Sequence, residues 1–358
     1  MTPGPVQVPE NVRLARSLST TNADLDPQFF DEYKETCELI SELLHTKNET
    51  LILSGEGILG LEAACASMTE PGDRVLILDN GIYGAGFADF VSMYGGTPVM
   101  YTKDYKNAFD VDELDAYLKE DHDFKYATVV HCDTPSGMLN DIHKICPLLK
   151  SYGIMTVTDS VSGMFGNEVN VDKAQIDILC GGSQKAVSAP PGLTFVTISD
   201  EAKKAMENRK TPIASFYCNL TIFKDYYKNL WFPYTMPISD IYGLKAAMDN
   251  IAADKDLIKR HARIANATRK AIEAFGLKLH LESGFSDTVI LERMREKHGI
   301  MLAGSFGELA GKVIRIGHMG ASANVGDMLE VMSGLEETLR YLGWKSENSL
   351  LGVFHTEL

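Results

Sequence analysis

From residue 51 onward, short apolar runs alternate with longer segments in which apolar residues recur at helical spacing. Strands of a parallel sheet are buried on both faces, so they read as nearly continuous apolar runs of this length. The predicted strands are 51–54, 74–79, 97–102, 127–133, 154–159, 176–181 and 193–199. The predicted helices between them are 58–68, 84–94, 110–120 and 142–152. This alternation predicts an α/β fold with a mostly parallel, seven-stranded sheet covered by helices on both faces.

The pattern changes after Pro237, where a long helical tract runs from Ser239 to about Phe275. Strand-like runs follow at 278–282, 289–291 and 312–316, and an amphipathic helix is predicted at 325–342. The change predicts a smaller C-terminal α+β domain. A chain of 358 residues can bury one large core and one smaller core. We therefore expect an N-terminal arm at 1–20, a large domain at 21–245 and a small domain at 246–358.

The charge and the composition exclude several classes of partner. Lys and Arg number 34 against 49 Asp and Glu, which gives a net charge of −15 and disfavours binding to nucleic acid or to an anionic membrane. The start of the chain has no signal or transit pattern and no apolar run is long enough to span a bilayer, so a cytoplasmic protein is expected. Its six cysteines form no C-x-x-C pair and its nine histidines no metal-binding spacing, so neither disulfides nor a metal are indicated.

Two ionisable residues stand at the ends of predicted strands. Asp159 closes one apolar run, and Lys185 follows the next, 26 positions later. A pyridoxal ring needs an amine to hold its aldehyde as an imine and a carboxylate to keep its ring nitrogen protonated. Taken singly, the two residues are more typical of a solvated loop lysine and a strand-end aspartate. Together, at the strand ends where α/β proteins bind ligands, they predict pyridoxal chemistry.

A glycine-rich turn, Gly55-Glu56-Gly57-Ile58-Leu59-Gly60, joins the first predicted strand to the first predicted helix. Read as G-x-G-x-x-G, with Asp79 closing the next strand 19 positions after Gly60, it favours a dinucleotide-dependent oxidoreductase. In the pyridoxal interpretation, the N–H groups of Gly57 and Ile58 form a cup at a helix N-terminus for the cofactor's 5′ substituent. The pyridoxal interpretation is preferred because it also explains Asp159 and Lys185.

Glu56 places a carboxylate inside this cup. Two like charges about 4 Å apart repel by roughly 1 kcal/mol in water and by several kcal/mol at a lower effective dielectric constant. A carboxylate therefore suits a 5′-hydroxyl better than a phosphate. The alternative is that Glu56 turns to solvent and that the cup binds a phosphate through its backbone N–H groups.

Motifs along almost the whole chain resemble the class V aminotransferases of fold-type I, the alanine–glyoxylate and serine–pyruvate transaminase group. The resemblance also extends to the pyridoxamine–pyruvate transaminases, which use unphosphorylated vitamin B6 as a substrate. The matching segments are 3–5, 54–64, 80–84, 133–137, 159–161, 184–185, 189–192, 232–235 and 315–320.

The resemblance implies a role for each matching residue. Lys185 would form the Schiff base and move the proton, and Asp159 would pair with the pyridinium nitrogen. Tyr83 would lie under the ring and Val161 on its other face. Arg315 would bind the substrate carboxylate. The other implied cofactor contacts are Thr134 and Gln184 at the 3-oxygen of the ring, Glu56, Gly57 and Ile58 in the cup, and Thr235 from a neighbouring subunit of a homodimer.

The resemblance also has departures. Phe306 stands where the pyridoxamine–pyruvate transaminases carry a second arginine, and the segment 21–24 lacks a His-Arg pair that phosphate-using relatives share. Phe232 stands where those relatives often carry a tyrosine that meets the phosphate. We expect a transaminase that converts pyridoxamine and pyruvate to pyridoxal and alanine. The alternative is a conventional aminotransferase that retains pyridoxal 5′-phosphate and uses alanine or serine with glyoxylate or pyruvate. The partners expected in both cases are small amino and keto acids.

Overall fold

The computed structural model describes residues 1–279 and 285–358, and its centre is a seven-stranded sheet. The strands of the described chain are β1 (Glu49–Ser54), β2 (Arg74–Asp79), β3 (Thr97–Thr102), β4 (Tyr126–Val130), β5 (Cys132–Asp133), β6 (Met138–Leu139), β7 (Met155–Asp159), β8 (Ile178–Gly182) and β9 (Leu193–Ile198). The order across the sheet is β1-β9-β8-β7-β4-β2-β3, and β5 and β6 form a separate two-stranded hairpin.

Five neighbouring strands of the sheet, β8, β7, β4, β2 and β3, are parallel. Strand β9 is antiparallel to both of its neighbours, β8 and β1, so β1 points in the same direction as the parallel strands. The carboxyl ends of β1, β2, β4, β7 and β8 therefore meet at one edge of the sheet. Loops at this edge are the usual ligand-binding place in an open α/β sheet.

Helices cover the sheet and form most of the C-terminal region. The α-helices of the described chain are α1 (Glu10–Ala15), α2 (Pro27–Leu43), α3 (Gly57–Met68), α4 (Ile82–Met93), α5 (Val111–Glu120), α6 (Ile142–Ser151), α7 (Val171–Ala174), α8 (Asp200–Glu207), α9 (Tyr226–Asn229), α10 (Ile238–Ala253), α11 (Leu257–Ala274), α12 (Asp287–His298), α13 (Val325–Tyr341) and α14 (Leu350–Glu357). Several begin at a polar residue whose side chain accepts a backbone N–H, as Asp110 does for α5 and Asn324 for α13. None of the described helices is long and apolar enough to cross a bilayer.

Two hydrophobic clusters fill the described molecule. The larger lies on both faces of the sheet and includes residues from Val12 in α1 to Leu257 at the start of α11. The smaller begins with Ile264 in α11 and ends with Phe354 in α14. The division at 245/246 and the arm at 1–20 stay predictions. Arg16, inside the predicted arm, donates from Nε to Asp240 Oδ1 over 2.8 Å and so ties this segment to α10.

The predicted sheet is confirmed, with strand ends that differ from the prediction by a few residues at most. The C-terminal predictions are less accurate. The helical tract 239–275 is two helices, because residues 254–256 separate α10 from α11. The predicted strand 289–291 is wrong, since it lies inside α12. In the described chain, the run 312–316 forms only a bridge between Arg315 and Ala303, and residues 280–282 of the run 278–282 lie outside the described residues.

Candidate active site

Lys185 lies in the loop that follows β8 and lines a cavity of about 320 Å³ at the carboxyl edge of the sheet. Its Nζ donates a hydrogen bond to the carbonyl oxygen of Pro3 over 2.9 Å. Burial and the nearby Arg315 lower the pKa of the Lys185 ammonium, and Asp159 opposes them. A lysine amine in these surroundings loses its proton more easily than a solvated one, which is what a nucleophilic amine needs.

Asp159 ends β7 and lines the same cavity, with only 6% of its surface exposed. Its Oδ1 accepts a hydrogen bond from Val161 N over 2.9 Å. Burial raises the pKa of the Asp159 carboxyl to about 7 because the Val161 hydrogen bond and Lys185 only partly offset it, while Asp133 adds to the rise. No cation lies within ion-pair distance of this carboxylate in residues 1–279 and 285–358. A buried carboxylate without a partner fits a protonated ring nitrogen, as a pyridoxal ring supplies.

The glycine-rich turn begins helix α3, and Glu56 is its N-cap. Glu56 Oε1 accepts from Ile58 N over 3.0 Å, and Oε2 accepts from Gln184 Nε2 over 3.0 Å. A Cβ on Gly57 would lie 2.9 Å from both methyl groups of Val161, so only glycine lets Val161 pack against the start of α3. Glu56 and Lys185 thus line the same cavity. The carboxylate of Glu56 accepts the Ile58 N–H, which would otherwise be free to donate to a phosphate.

Tyr83 stands in the first turn of α4 and lines the cavity beside Asp159. Its backbone N–H donates to Asp133 Oδ1 over 3.1 Å, and Ser136 Oγ donates to Asp133 Oδ2 over 2.7 Å. Burial, followed by Asp159 and Asp133, raises the pKa of the Tyr83 phenol, so the ring stays neutral. Asp133 therefore fixes the start of α4, a role that the sequence does not predict. The sequence signal for this role is the position of Asp133 at the carboxyl end of a predicted strand.

A second cavity, of about 510 Å³, adjoins the first and shares Ser162 with it. Thr134 and Arg315 line this second cavity, and neither lines the first. Arg315 Nε donates to Gly304 O over 2.6 Å, and the guanidinium carbon lies 5.0 Å from the centre of the Phe306 ring. Burial lowers the pKa of Arg315, and the described residues offer it no ion pair. A half-buried guanidinium with free N–H groups suits a carboxylate ligand.

Thr235, a predicted site residue, and Phe232, a departure from the phosphate-using relatives, do not line either cavity of their own chain. Thr235 is exposed, and its hydroxyl donates to Asp24 Oδ2 over 3.4 Å. Phe232 is buried, with its ring stacked on Phe30 at 4.4 Å between centroids. Phe232 therefore belongs to an aromatic cluster of its own chain.

Comparisons with known proteins identify the family and the fold of this chain. The family model "Aminotransferase class-V" matches residues 13–282. The chain is 32% identical over 347 residues to pyridoxamine–pyruvate transaminase of Mesorhizobium japonicum, covering 90% of this chain and 86% of that protein. Among solved structures, pyridoxamine–pyruvate aminotransferase of Mesorhizobium loti superposes with a TM-score of 0.94 at 28% identity, covering 99% and 95% of the two chains. Ureidoglycine–glyoxylate aminotransferase of Bacillus subtilis gives the same TM-score and identity, covering 100% and 97%.

The chain belongs to the class V aminotransferase family and has the fold-type I architecture. It is an aminotransferase, and its family implies a pyridoxal cofactor held on a lysine. The alternative of a dinucleotide-dependent oxidoreductase, which the glycine-rich turn left open, is therefore rejected.

Proposed function

We propose that this aminotransferase transfers the amino group of pyridoxamine to pyruvate and so forms pyridoxal and alanine. The observation that carries the proposal is the carboxylate of Glu56 at the N-terminus of α3. Gln184 and Ile58 each donate one hydrogen bond to it, which fixes its orientation. Each carboxylate oxygen retains a lone pair for a hydroxyl donor. A phosphate dianion at the same place would meet a like charge and one fewer free backbone N–H.

The site residues support this chemistry in separate ways. The cofactor ring, when bound, accepts electrons from the carbon that loses a proton. Asp159, a buried carboxylate with no ion-pair partner among the described residues, would balance a positive charge at the ring nitrogen. Lys185 Nζ, with its lowered pKa, takes up and returns the proton. Tyr83 and Val161 both line the cavity, and we assign them to the two faces of the ring. Arg315 binds the carboxylate of pyruvate or alanine.

We also propose that the protein acts as a homodimer in which Thr235 reaches the neighbouring site. Phe216, Tyr217 and Trp231 are more than half exposed. Tyr217 stacks on Tyr234, the neighbour of Thr235, with 4.7 Å between ring centroids. An exposed aromatic patch of this kind favours a protein–protein contact.

The vitamer preference tests the proposed function. The dissociation constants of pyridoxal and pyridoxal 5′-phosphate should be measured from the absorbance change on binding, for the parent protein and for Glu56→Gly. The parent should prefer pyridoxal, and the variant should prefer the phosphate form. Loss of one repulsion and one hydrogen bond should shift the relative affinity by about 2–4 kcal/mol, roughly 30-fold to nearly 1000-fold.

Glu56→Gln is the matched control, because it keeps the length of the side chain and removes only the charge. It should give a smaller shift in the same direction. If the parent binds the phosphate form more tightly and neither variant changes the preference, the proposal is wrong. A conventional class V aminotransferase acting on alanine or serine with glyoxylate or pyruvate would then be the better answer.

A further inference from the structure

The first residues of the chain lie across the candidate active site, between its two cavities. Gly4 and Pro5 line the cavity that contains Lys185 and Asp159. Pro3 lines the adjoining cavity that contains Arg315. This segment is therefore a wall that the proposed cofactor pocket and the proposed substrate pocket share.

Backbone hydrogen bonds fix both ends of this segment. Val6 N donates to Gln184 O over 3.1 Å, next to Lys185 in the chain. At the other end, Gly317 N donates to Met1 O over 3.0 Å, two residues after Arg315. The packing at Gly317 is tight, because a Cβ there would lie 1.9 Å from Thr2 O. Residues 1–6 thus connect the loop of Lys185 to the segment of Arg315.

The middle of the segment contacts the lysine directly. Pro3 O accepts the hydrogen bond from Lys185 Nζ. Gly4 has a φ of +116°, and a Cβ at this residue would lie 2.5 Å from Lys185 Cδ and 2.9 Å from Nζ. A side chain at position 4 would therefore push the lysine away from the Pro3 carbonyl.

We propose that residues 1–6 are a positioning element for Lys185, which holds the free amine against Pro3 O and couples its position to the Arg315 segment. A buried amine needs a hydrogen-bond acceptor, and Pro3 O supplies one whenever the amine is not linked to the cofactor. The proposal rests on the proposed function only in giving Lys185 the task of moving the proton. Pro3, Gly4 and Gly317 act through Lys185 and are positioning residues.

The test measures the reactivity of the Lys185 amine toward acetic anhydride, by mass spectrometry of the full chain. Hydroxylamine first releases any bound aldehyde, and the protein is then saturated in separate samples with pyridoxamine and with pyridoxamine 5′-phosphate. Neither compound has an aldehyde, so the lysine amine stays unlinked whichever vitamer the protein prefers. In Gly4→Ala, the rate of acetylation at high pH should rise about tenfold, as expected for the loss of one hydrogen bond and of the cover over the amine. The midpoint of its pH profile should move up toward that of a solvated lysine, since burial is the main cause of the lowered pKa.

Gly317→Ala tests the coupling from the far end, because it dislodges Thr2 without touching Lys185. It should raise the reactivity of Lys185 in the same direction. Gly343→Ala is the control for backbone strain, since Gly343 has a φ of +98° and a Cβ added there would have no atom within 4 Å. The acetylation rate of Lys144, an exposed lysine, serves as the internal reference in each protein.

A rise in both Gly4→Ala and Gly317→Ala, with Gly343→Ala and Lys144 unchanged, supports the proposal. An unchanged rate in Gly4→Ala overturns it, and so does a rise in Gly4→Ala alone, because the coupling is then absent. An equal rise in Gly343→Ala also overturns it, since general loosening would explain the effect. These measurements use an unlinked amine and do not depend on the vitamer preference, so a failure here is distinguishable from a failure of the proposed function.

Discussion

Gln184 donates from Nε2 to Glu56 Oε2 over 3.0 Å, whereas its own Oε1 is buried and has no hydrogen-bond partner in the described part of the chain. A buried acceptor without a donor destabilises a fold by about 1–3 kcal/mol. Gln184 is adjacent to Lys185 and lines the same cavity, so a ligand hydroxyl is a suitable donor. One oxygen of the Glu56 carboxylate, which we propose selects the 5′ group, is thus linked through the Gln184 amide to an acceptor that we predict the ligand satisfies.

Gln184→Met tests this acceptor with a side chain of similar size. Without ligand, the variant should unfold at nearly the same urea concentration as the parent, because it loses one hydrogen bond and also one unsatisfied oxygen. Its dissociation constant for pyridoxal should rise about tenfold, the effect of one lost hydrogen bond. Titration by absorbance measures this constant, and an unchanged value would show that Oε1 does not meet the ligand.

Lys185→Ala should abolish transamination, because no other group at this position can hold an aldehyde covalently. The residue lies on a loop at a strand end, so the thermal midpoint should stay close to that of the parent. Lys144→Ala, at an exposed position in α6, is the matched control and should keep full activity. Borohydride reduction followed by mass spectrometry should trap an adduct on Lys185 in the parent only. Turnover by Lys185→Ala at the parent rate would contradict the assignment.

Asp159→Asn should lower the turnover number by several orders of magnitude while the cofactor still binds. The amide has the same shape and can still accept from Val161 N, but it cannot hold a positive charge at the ring nitrogen. Steady-state kinetics measures the effect. A rate within about tenfold of the parent, roughly 1.4 kcal/mol in activation free energy, would exclude Asp159 as the ring partner.

The same variant should change how the stability of the cofactor-free protein depends on pH. The pKa of Asp159 is about 7 in the folded chain and lies near 4 in an unfolded one. Between these values the folded state binds the extra proton, so this group makes the free energy of unfolding fall as pH rises from about 4 to 7. At pH 8, Asp159→Asn should be more stable than the parent by about 2–4 kcal/mol, and the difference should disappear near pH 4. Urea unfolding at several pH values measures it, and a parallel pH dependence in both proteins would contradict the raised pKa.

Arg315→Lys should mainly weaken the binding of the carboxylate substrate. The hydrogen bond from Nε to Gly304 O fixes the plane of the guanidinium, and a lysine cannot reproduce two parallel donors in that plane. The KM for pyruvate should rise about tenfold or more, with a smaller change in the turnover number. Arg263→Lys, on the exposed side of α11, is the control and should leave the KM unchanged. An unchanged KM for every carboxylate substrate would reject the role of Arg315.

The sheet and much of the site could be predicted because both depend on patterns that are local in the sequence. Short apolar runs give strands, and parallel strands bring their carboxyl ends to one edge, which places Glu56, Tyr83, Asp159 and Lys185 around one cavity. The prediction for 289–291 is wrong because three apolar residues cannot distinguish a strand from a turn of helix. Stronger signals were available in the polar start at Ser286 and in the Gly299 that ends α12 with a φ of +66°.

Other features of the site could not be read from the sequence. The contact between Pro3 and Lys185 joins a backbone carbonyl to a side chain 182 positions away. Every residue has a backbone carbonyl, so the residue type at position 3 does not indicate this contact. Thr134 matches a motif, but the cavity that it lines depends on the β5–β6 hairpin, whose placement the sequence does not predict. The burial of Phe232 depends on three-dimensional packing with Phe30 and Tyr33, which neither periodicity nor motif predicts.

The groups proposed to handle the ring and the group proposed to bind the acid come from different parts of the fold. The first set comes from the ends of strands in one sheet, whereas Arg315 comes from a C-terminal segment without regular strand or helix structure. A substitution of Arg315 itself should therefore alter which acid is accepted and leave the strand-end groups in place. A substitution at Gly317, two residues further on, should also reach Lys185 through residues 1–6. Acid selection and amine reactivity are thus separable at one position of this segment and linked at another.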